Sequence, residues 1–319
     1  MTAATKVTGY KFSSWNLKVY NLKKLTSDLD VIYTADYFYP FTFQAIKTGI
    51  PTIVMEWENI PHNEEEPPFG KIKQFAREHA AHFVAVTEKA KEALIIEGVS
   101  REKISVLSVG IDCEKFKPGE RNEQLFKKHG LSKDSTKILF VGRLVVEKGI
   151  FDLLNAFATL RNLQNIELLI VGSGTPEMKF QIMKLVKDLK IEDKVKFLGS
   201  IEYSDMPAIH SLADIFCLPS IPVRTWAEQF GYSMVEAMAC GKPVISTYSG
   251  SIPEIVKDQQ TGILVQPKDV KGLASALEKL IMNKQERENM GQNARKWVLH
   301  SFEANKIAEQ LSEIYRRFI

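Results

Sequence analysis

Short apolar runs alternate along this chain with segments whose apolar residues recur at helical spacing. In the first half, strands are predicted at 30–33, 51–55, 82–86 and 103–107. Helices are predicted between them at 41–48 and 88–97. This alternation favours a parallel sheet covered by helices on both faces.

The second half repeats the alternation more regularly. Strands are predicted at 137–142, 166–172, 195–199, 215–219, 244–246 and 262–265. Helices are predicted at 150–160, at 178–189, from 269, from 286 and at 303–318. The fold class predicted from this pattern is α/β, with two doubly wound Rossmann-like domains whose parallel sheets face one another. Ligands would then bind outside the carboxyl ends of the strands.

A chain of 319 residues is long for one hydrophobic core, so two domains are expected. The Pro-Gly pair in Phe116–Gly119 is a good linker candidate. We therefore predict an N-terminal domain over 1–118 and a C-terminal domain over 119–298. The remaining helix, 299–319, is expected to pack back toward the N-terminal domain.

Composition excludes several classes of protein. A formal charge of +3, with no cluster of basic residues interleaved with aromatic ones, argues against nucleic acid as a partner. No apolar run approaches the roughly 18 residues of a membrane-spanning helix, and no signal peptide is visible. Cys113, Cys217 and Cys240 lie in apolar contexts without metal spacing, which favours buried thiols in a reducing, cytoplasmic protein.

The start of the chain is basic and aromatic. Its residues of these types are Lys6, Lys11, Phe12, Trp15, Lys18, Tyr20, Lys23 and Lys24. A solvated basic face is the favoured interpretation because the segment is short. The alternative is a surface that rests on anionic lipid, which would make the protein peripheral to the inner face of the membrane.

Glu228 and Glu236 flank an apolar run that predicts a short helix between Gly231 and Gly241. Carboxylates at the ends of a buried helix are costly unless polar groups pair with them. Hydroxyls of a sugar or a ribose donate hydrogen bonds to carboxylates and would be suitable partners.

The loop from Gly142 to Gly149 follows a predicted strand and precedes a predicted helix. Backbone N–H groups and the positive end of the helix dipole favour an anion there. Arg143 and Lys148 add a guanidinium and an ammonium, so the loop suits a diphosphate. Surface salt bridges are the alternative for either cation alone.

Ser249–Glu254 also follows a predicted strand, and its small residues would let the backbone approach a ligand. A second cradle for an anion or sugar and an ordinary turn are equally supported. The histidines lack metal spacing, and the chain has no Gly-x-Ser-x-Gly, Walker or Gly-x-Gly-x-x-Gly motif. Neither a metal nor a cofactor is therefore expected.

Taken together, these segments resemble the family 4 retaining glycosyltransferases of the GT-B architecture, also called glycosyl transferases group 1. The motifs that carry the resemblance, in the family's order, are Val141–Leu144 with Glu147–Gly149, Leu169–Gly174, Phe197–Gly199, the Glu-x7-Glu segment Glu228–Glu236 with its continuation to Val244, and Ile252–Val256. The resemblance runs from about Asp30 to the C-terminus.

The resemblance implies a role for each motif. Arg143 and Lys148 would bind the diphosphate of a nucleotide-sugar donor and stabilise the leaving nucleotide, and Glu228 would hold hydroxyls of the donor sugar. The remaining donor-binding residues implied are Gly142, Gly199, Ile201, Phe230, Gly231, Tyr232 and Glu236. Of these, Glu236 would accept from the ribose, Gly199 and Ile201 would lie near the base, and Phe230 to Tyr232 would act through backbone N–H groups. Transfer would retain the anomeric configuration and need no metal.

Two positions depart from the family pattern. No strand with a glycine-rich loop is found before Asp30, so the N-terminal domain is expected to be abbreviated. Where many relatives carry a histidine, this chain has Trp57 or Glu58. A non-catalytic nucleotide-sugar-binding module, or a subunit that needs a partner, is therefore the alternative function. An epimerase of the same architecture is a third, with Glu56 and Glu58 as its acid/base groups. The acceptor is expected to be a saccharide, a lipid-linked glycan or another small molecule.

Overall fold

The computed structural model describes residues 19–63, 65–67, 69–120 and 123–319. One compact unit comprises the described residues up to Ser108 together with Ala308–Ile319, and the other is Val109–Ile307. Most of the basic N-terminal segment, Lys6 to Lys18 with Phe12 and Trp15, lies outside the described residues. No helix in the described part of the chain is long and apolar enough to cross a membrane.

The division between the units falls after Ser108, ahead of the expected boundary at 118. The segment beyond it is bound to the second unit. Ile111 N donates to Phe302 O at 2.7 Å, and the Arg295 guanidinium donates to Cys113 O at 3.0 Å and Phe116 O at 2.7 Å. The residues just ahead of the Pro-Gly pair are thus held within the second unit by hydrogen bonds.

The N-terminal unit contains a parallel sheet whose four strands follow chain order. They are β1 (Ile32–Ala35), β2 (Thr52–Glu56), β3 (His82–Ala85) and β4 (Ile104–Val106). The helices of this part of the chain are α1 (Leu22–Leu25), α2 (Pro40–Ile46), α3 (Phe69–His79) and α4 (Glu88–Ile96). Strand β3 is buried along its whole length, as a central parallel strand covered on both faces should be.

A buried ionic network ties the loop after β2 to α3. Glu97 is its centre, with a side chain that is 0% exposed. It accepts from Lys73 Nζ at 3.1 Å, Arg77 Nη1 at 2.9 Å, the backbone N of His62 at 2.8 Å and the Tyr37 hydroxyl. These donors satisfy a carboxylate that would otherwise be costly to bury.

The C-terminal unit contains a six-stranded parallel sheet. Its strands are β5 (Thr136–Val141), β6 (Ile166–Val171), β7 (Val195–Gly199), β8 (Ile215–Cys217), β9 (Val244–Thr247) and β10 (Gly262–Val265). Their spatial order is β10-β9-β8-β5-β6-β7. The chain therefore winds outward from β5 to β7, returns to the middle, and winds the other way from β8 to β10, which is the doubly wound arrangement predicted.

Helices flank this sheet. They are α5 (Glu123–His129), α6 (Ile150–Thr159), α7 (Pro176–Asp188), α8 (Met206–Leu212), α9 (Tyr232–Ala239), α10 (Ile252–Ile255), α11 (Val270–Met282) and α12 (Lys284–Ser301), followed by α13 (Ala304–Tyr315), most of which belongs to the first unit. Helix α6 packs on α11, and α9 packs on α12. Their apolar stripes and the buried strands β5 and β6 form the core of the unit.

Candidate active site

The winding of the six-stranded sheet reverses between β5 and β8, which are hydrogen-bonded neighbours. At such a switch point the loops leaving the carboxyl ends of the two strands separate, and ligands of open α/β sheets bind in the crevice between them. The loop after β5 carries Arg143 and Lys148, and the loop after β8 carries Glu228. The topology therefore brings the predicted cations and the predicted carboxylate to the same place.

Lys148 and Glu228 form an ion pair, with Nζ 2.7 Å from Oε2. The two side chains are only 13% and 7% exposed, so water screens the pair weakly. Lys148 Nζ also lies 4.9 Å from the centre of the Trp226 ring, a cation–π contact from the same loop as Glu228.

Two further contacts fix the position of Glu228. The Ser220 hydroxyl, fully buried just after β8, donates to the same Oε2 at 2.7 Å. On the main chain, Ser251 N donates to Glu228 O at 2.8 Å. A Cβ on Gly250, which has φ of +56°, would lie 2.0 Å from that oxygen. The Ser249–Glu254 turn thus supports the backbone of Glu228.

Glycines allow the loop after β5 to pack closely. Gly172 has φ of +140°, and a Cβ there would lie 1.8 Å from Gly142 O. Gly149, with φ of +71°, precedes α6, and a Cβ added there would lie 1.9 Å from Pro219 O. Arg143 projects from this loop and is exposed, and its guanidinium makes no hydrogen bond or ion pair with the described residues. Its guanidinium fork is open to an anionic ligand.

Helix α9 begins after Gly231, whose φ of +83° suits only glycine without strain. Ser233 Oγ donates to Val141 O at 3.1 Å, which ties the start of this helix to the end of β5. The Phe230 side chain is buried against Phe302, so only its main chain can face a ligand. Tyr232 is 43% exposed.

Glu236 has partners different from those of Glu228. It lies inside α9, is 6% exposed, and its Oε2 lies 3.2 Å from Nε2 of the buried His210. Burial, then the charge of Glu236, raises the pKa of Tyr203. Burial, then the charges of Tyr203 and Glu236, raises the pKa of Tyr232.

The residues predicted to lie near a nucleotide base follow β7. Gly199, the last residue of this strand, is exposed, has φ of +75°, and has open space around the position of a Cβ. Ile201 is half-buried two residues later. A neighbouring cavity of about 250 Å³ is lined by Leu144, Ile170, Gly172, Lys179, Ile182, Met183, Phe197, Gly199 and Ser200.

In the N-terminal unit, carboxylates follow β1 and β2. Glu56 is fully buried and accepts from Tyr37 N at 3.3 Å and Glu58 N at 2.8 Å. Burial, then the charge of Asp36, raises the pKa of Glu56 well above its usual range. Burial, then the charge of Glu58, raises the pKa of Asp36 to about 6. Glu58 accepts from the backbone of Asn59 and Ile60 at 3.0 Å each.

The three cysteines are free and buried, as expected, and burial raises their pKa values, to about 12 for Cys240. Within the described residues, no three His, Cys, Asp or Glu side chains form a group that could hold a metal ion.

Sequence reasoning did not identify Ser220, Trp226 or His210 as parts of this region. Ser220 had a usable signal, since it is a polar residue directly after a buried strand at the switch-point edge. His210 had no such signal in the sequence, because a single histidine in an apolar helix is most often an ordinary core residue.

Two family models match this chain. Residues 121–297 match the family model described as Glycosyl transferases group 1, and residues 7–115 match Glycosyltransferase Family 4. The first match covers more than half of the chain and contains every residue of the switch-point site.

Two curated relatives are similar to this chain over part of their length. The chain is 35% identical over 192 residues to N-acetyl-alpha-D-glucosaminyl L-malate synthase of Bacillus anthracis, covering 60% of this chain and 48% of that one. It is 30% identical over 219 residues to a GDP-mannose-dependent alpha-(1-6)-phosphatidylinositol monomannoside mannosyltransferase of Mycobacterium tuberculosis, covering 67% and 56%. The chain thus spans about half the length of these curated relatives.

Among solved structures, Anabaena Alr3699/HepE in complex with UDP and glucose superimposes with a TM-score of 0.79 at 23% identity, covering 92% of this chain and 79% of that one. This likeness establishes the fold, which is the predicted α/β, GT-B-like class with two sheets of parallel strands. The family match and the fold together place this chain in the glycosyl transferases group 1 family.

Proposed function

We propose that this protein is a glycosyltransferase that moves a sugar from a nucleotide-sugar donor to a hydroxyl of an acceptor, with retained anomeric configuration and without a metal ion. The acceptor would be a saccharide, a lipid-linked glycan or another small molecule. The site of action would be the cytoplasm, with contact to the inner face of the membrane as an option for a lipid-linked acceptor.

The observation that carries the proposal is the Lys148–Glu228 pair at the switch point, with Nζ and Oε2 2.7 Å apart. A nucleotide-sugar has a diphosphate joined directly to a sugar rich in hydroxyls. An ammonium next to a carboxylate matches this junction, since the cation suits the phosphate and the anion accepts from hydroxyls.

Arg143 and Lys148 would supply the electrostatic part of catalysis. When the bond from the sugar carbon to the phosphate oxygen breaks, the departing nucleoside diphosphate takes the electron pair and gains negative charge. Two fixed cations stabilise that charge as it develops, which is the kind of interaction that lowers a barrier most. These cations would take the place of a divalent metal.

Retention is proposed from the family resemblance. The acceptor hydroxyl would attack the same face of the sugar that the phosphate leaves, through an oxocarbenium-like state. The hydroxyl proton would pass to the leaving phosphate oxygen, so that bonds and charges balance. Glu228 would hold the sugar hydroxyls, and the buried Ser220 hydroxyl would keep the carboxylate in place.

The first test is the thermal stability of the protein with UDP-, GDP- and ADP-sugars. A ligand at about 100 times its Kd should add roughly 2.7 kcal/mol to the free energy of unfolding. Arg143→Ala should abolish the shift. Arg161→Ala is the matched control, because Arg161 is an exposed arginine of the same unit, just after α6 and before the amino end of β6.

An increase in thermal stability with one nucleotide-sugar, lost in Arg143→Ala and kept in Arg161→Ala, would support the donor site. It would also identify the base of the donor. Turnover with a panel of saccharide and lipid-linked acceptors would then separate an enzyme from the alternative, a binding module that needs a partner. The anomeric configuration of the product, measured by NMR, tests retention. Absence of a shift with every donor would overturn the proposal.

A further inference from the structure

Glu236 has a buried partner that no motif predicts. His210 lies in α8 and is 0% exposed, between the rings of Phe116 and Phe216, whose centroids are 6.0 and 5.8 Å from that of the imidazole. Its Nε2 lies 3.2 Å from Glu236 Oε2. Its other nitrogen, Nδ1, is buried and has no hydrogen-bond partner among the described residues.

This asymmetry assigns the proton on the imidazole. An ionised carboxylate can only accept, so Nε2 carries the hydrogen and donates it to Glu236. Nδ1 then carries no hydrogen and is an acceptor. Leaving a buried acceptor without a hydrogen bond costs less free energy than leaving a buried N–H without one. The ring is therefore a directed donor, and Glu236 is its only polar partner among the described residues.

Two exposed tyrosines also lie near Glu236. Tyr203 is 55% exposed and Tyr232 is 43% exposed. After burial, the negative charge of Glu236 contributes to the raised pKa of both phenols, and the Tyr203 hydroxyl also hydrogen-bonds this carboxylate. Glu236 thus has a buried donor in His210 and an exposed donor in Tyr203. Tyr203 lies two residues after Ile201, in the segment proposed to be near the base.

We infer that His210 is a positioning residue that orients the Glu236 carboxylate toward the ribose hydroxyls of the donor. The inference rests on the proposed function. By donating to Oε2 from the core, His210 restricts rotation of the carboxylate. The lone pairs that neither His210 nor the Tyr203 phenol uses remain for the ribose hydroxyls. Recognition of a ribose in preference to a deoxyribose then depends on a residue that does not touch the ligand.

The chain allows a matched pair of variants. In His210→Gln the side-chain amide nitrogen falls near the position of Nε2, so the hydrogen bond to Glu236 is kept. In His210→Asn the amide nitrogen falls near Nδ1, so that hydrogen bond is lost. His210→Leu, which keeps an apolar contact with Phe116 and Phe216, is a second variant without a donor.

The experiment measures, by calorimetry, the Kd of UDP, GDP and ADP and of their 2′-deoxy and 3′-deoxy counterparts. For the nucleotide that binds, the wild type and His210→Gln should prefer the ribose form by about tenfold or more, as expected for a hydrogen bond to a charged group. In His210→Asn and His210→Leu the ratio should fall toward one. A general loss of stability would weaken both ligands alike and leave the ratio unchanged.

Two outcomes would overturn the inference alone while leaving the proposed function intact. One is a wild type that binds a nucleotide without preferring the ribose form. The other is a wild-type ratio in a folded His210→Asn or His210→Leu variant. If none of the three nucleotides binds the wild type, this inference and the proposed function fall together.

Discussion

Gly250 lies directly against the main chain of Glu228, so that a Cβ on Gly250 would fall 2.0 Å from the Glu228 carbonyl oxygen. The two residues belong to the loops that follow neighbouring strands of the six-stranded sheet. The turn after β9 can therefore approach the predicted donor-site carboxylate only because residue 250 lacks a side chain.

Gly250→Ala should lower the free energy of unfolding by about 2–4 kcal/mol, because the added methyl group forces the loops apart. Gly130→Ala is the matched control. Gly130 has φ of +60°, close to the +56° of Gly250, but has no atom within 4 Å of a Cβ. The control should lower the free energy of unfolding by only about 1–2 kcal/mol, the cost of placing an alanine in the left-handed region. Urea unfolding measures both, and equal losses would contradict the close approach.

Glu228→Ala should lower kcat/KM by about two orders of magnitude, which corresponds to roughly 3 kcal/mol of transition-state stabilisation. The substitution removes the proposed partner of the sugar hydroxyls and leaves Lys148 without its carboxylate. Glu147→Ala, which removes a carboxylate adjacent to Lys148 in sequence, serves as the control and should retain activity. Undiminished turnover in Glu228→Ala would refute the assigned role.

Asp36→Asn should flatten the pH dependence of stability. The folded-state pKa of Asp36 is raised from 3.8 to about 6, so its contribution is fully present below about pH 4 and is lost as the pH rises through 6. Asparagine removes this titration and tolerates the positive φ of 54° at this position.

Relative to the wild type, Asp36→Asn should therefore gain about 2–3 kcal/mol in free energy of unfolding between pH 4 and pH 7.5. Denaturant unfolding at both pH values measures this change. Parallel profiles for the two proteins would show that Asp36 does not titrate in this range.

Treatment with EDTA should leave turnover unchanged, because Arg143 and Lys148 are proposed to hold the charge that a divalent ion holds in other transferases. Turnover before and after chelation, with Mg²⁺ or Mn²⁺ added back, measures the dependence. Activity that disappears with EDTA and returns with the metal would rule out the two-cation clamp.

The periodicity of the sequence predicted the elements of the second unit well. The strands expected at 137–142 and 166–172 are found at Thr136–Val141 and Ile166–Val171, and the helix expected at 178–189 is found at Pro176–Asp188. These elements have strong apolar patterns and clear ends, because a buried parallel strand and an amphipathic helix each leave a local signal.

The contacts within the site could be predicted only in part. Arg143 and Lys148 were predicted because they lie in the loop between a strand and a helix, and Glu228 because it and Glu236 flank a short apolar helix. Their meeting depends on β5 lying next to β8, which is a property of the whole sheet and leaves no trace in local spacing. The 80 residues between Lys148 and Glu228 illustrate this limit. The His210–Glu236 pair has the same cause, since α8 and α9 are brought into contact by the tertiary fold.

The buried Glu97 network makes mutations in the N-terminal unit interdependent. Its four donors come from residues 37, 62, 73 and 77, so neutralising Glu97 alone would leave Lys73, which is 1% exposed, as an uncompensated buried charge. Substitutions at these positions should therefore show strong epistasis. Combined substitutions should be tolerated where each single substitution is not. A combinatorial library that varies the loop after β2 would therefore have to leave Glu97, Lys73 and Arg77 unchanged in every member.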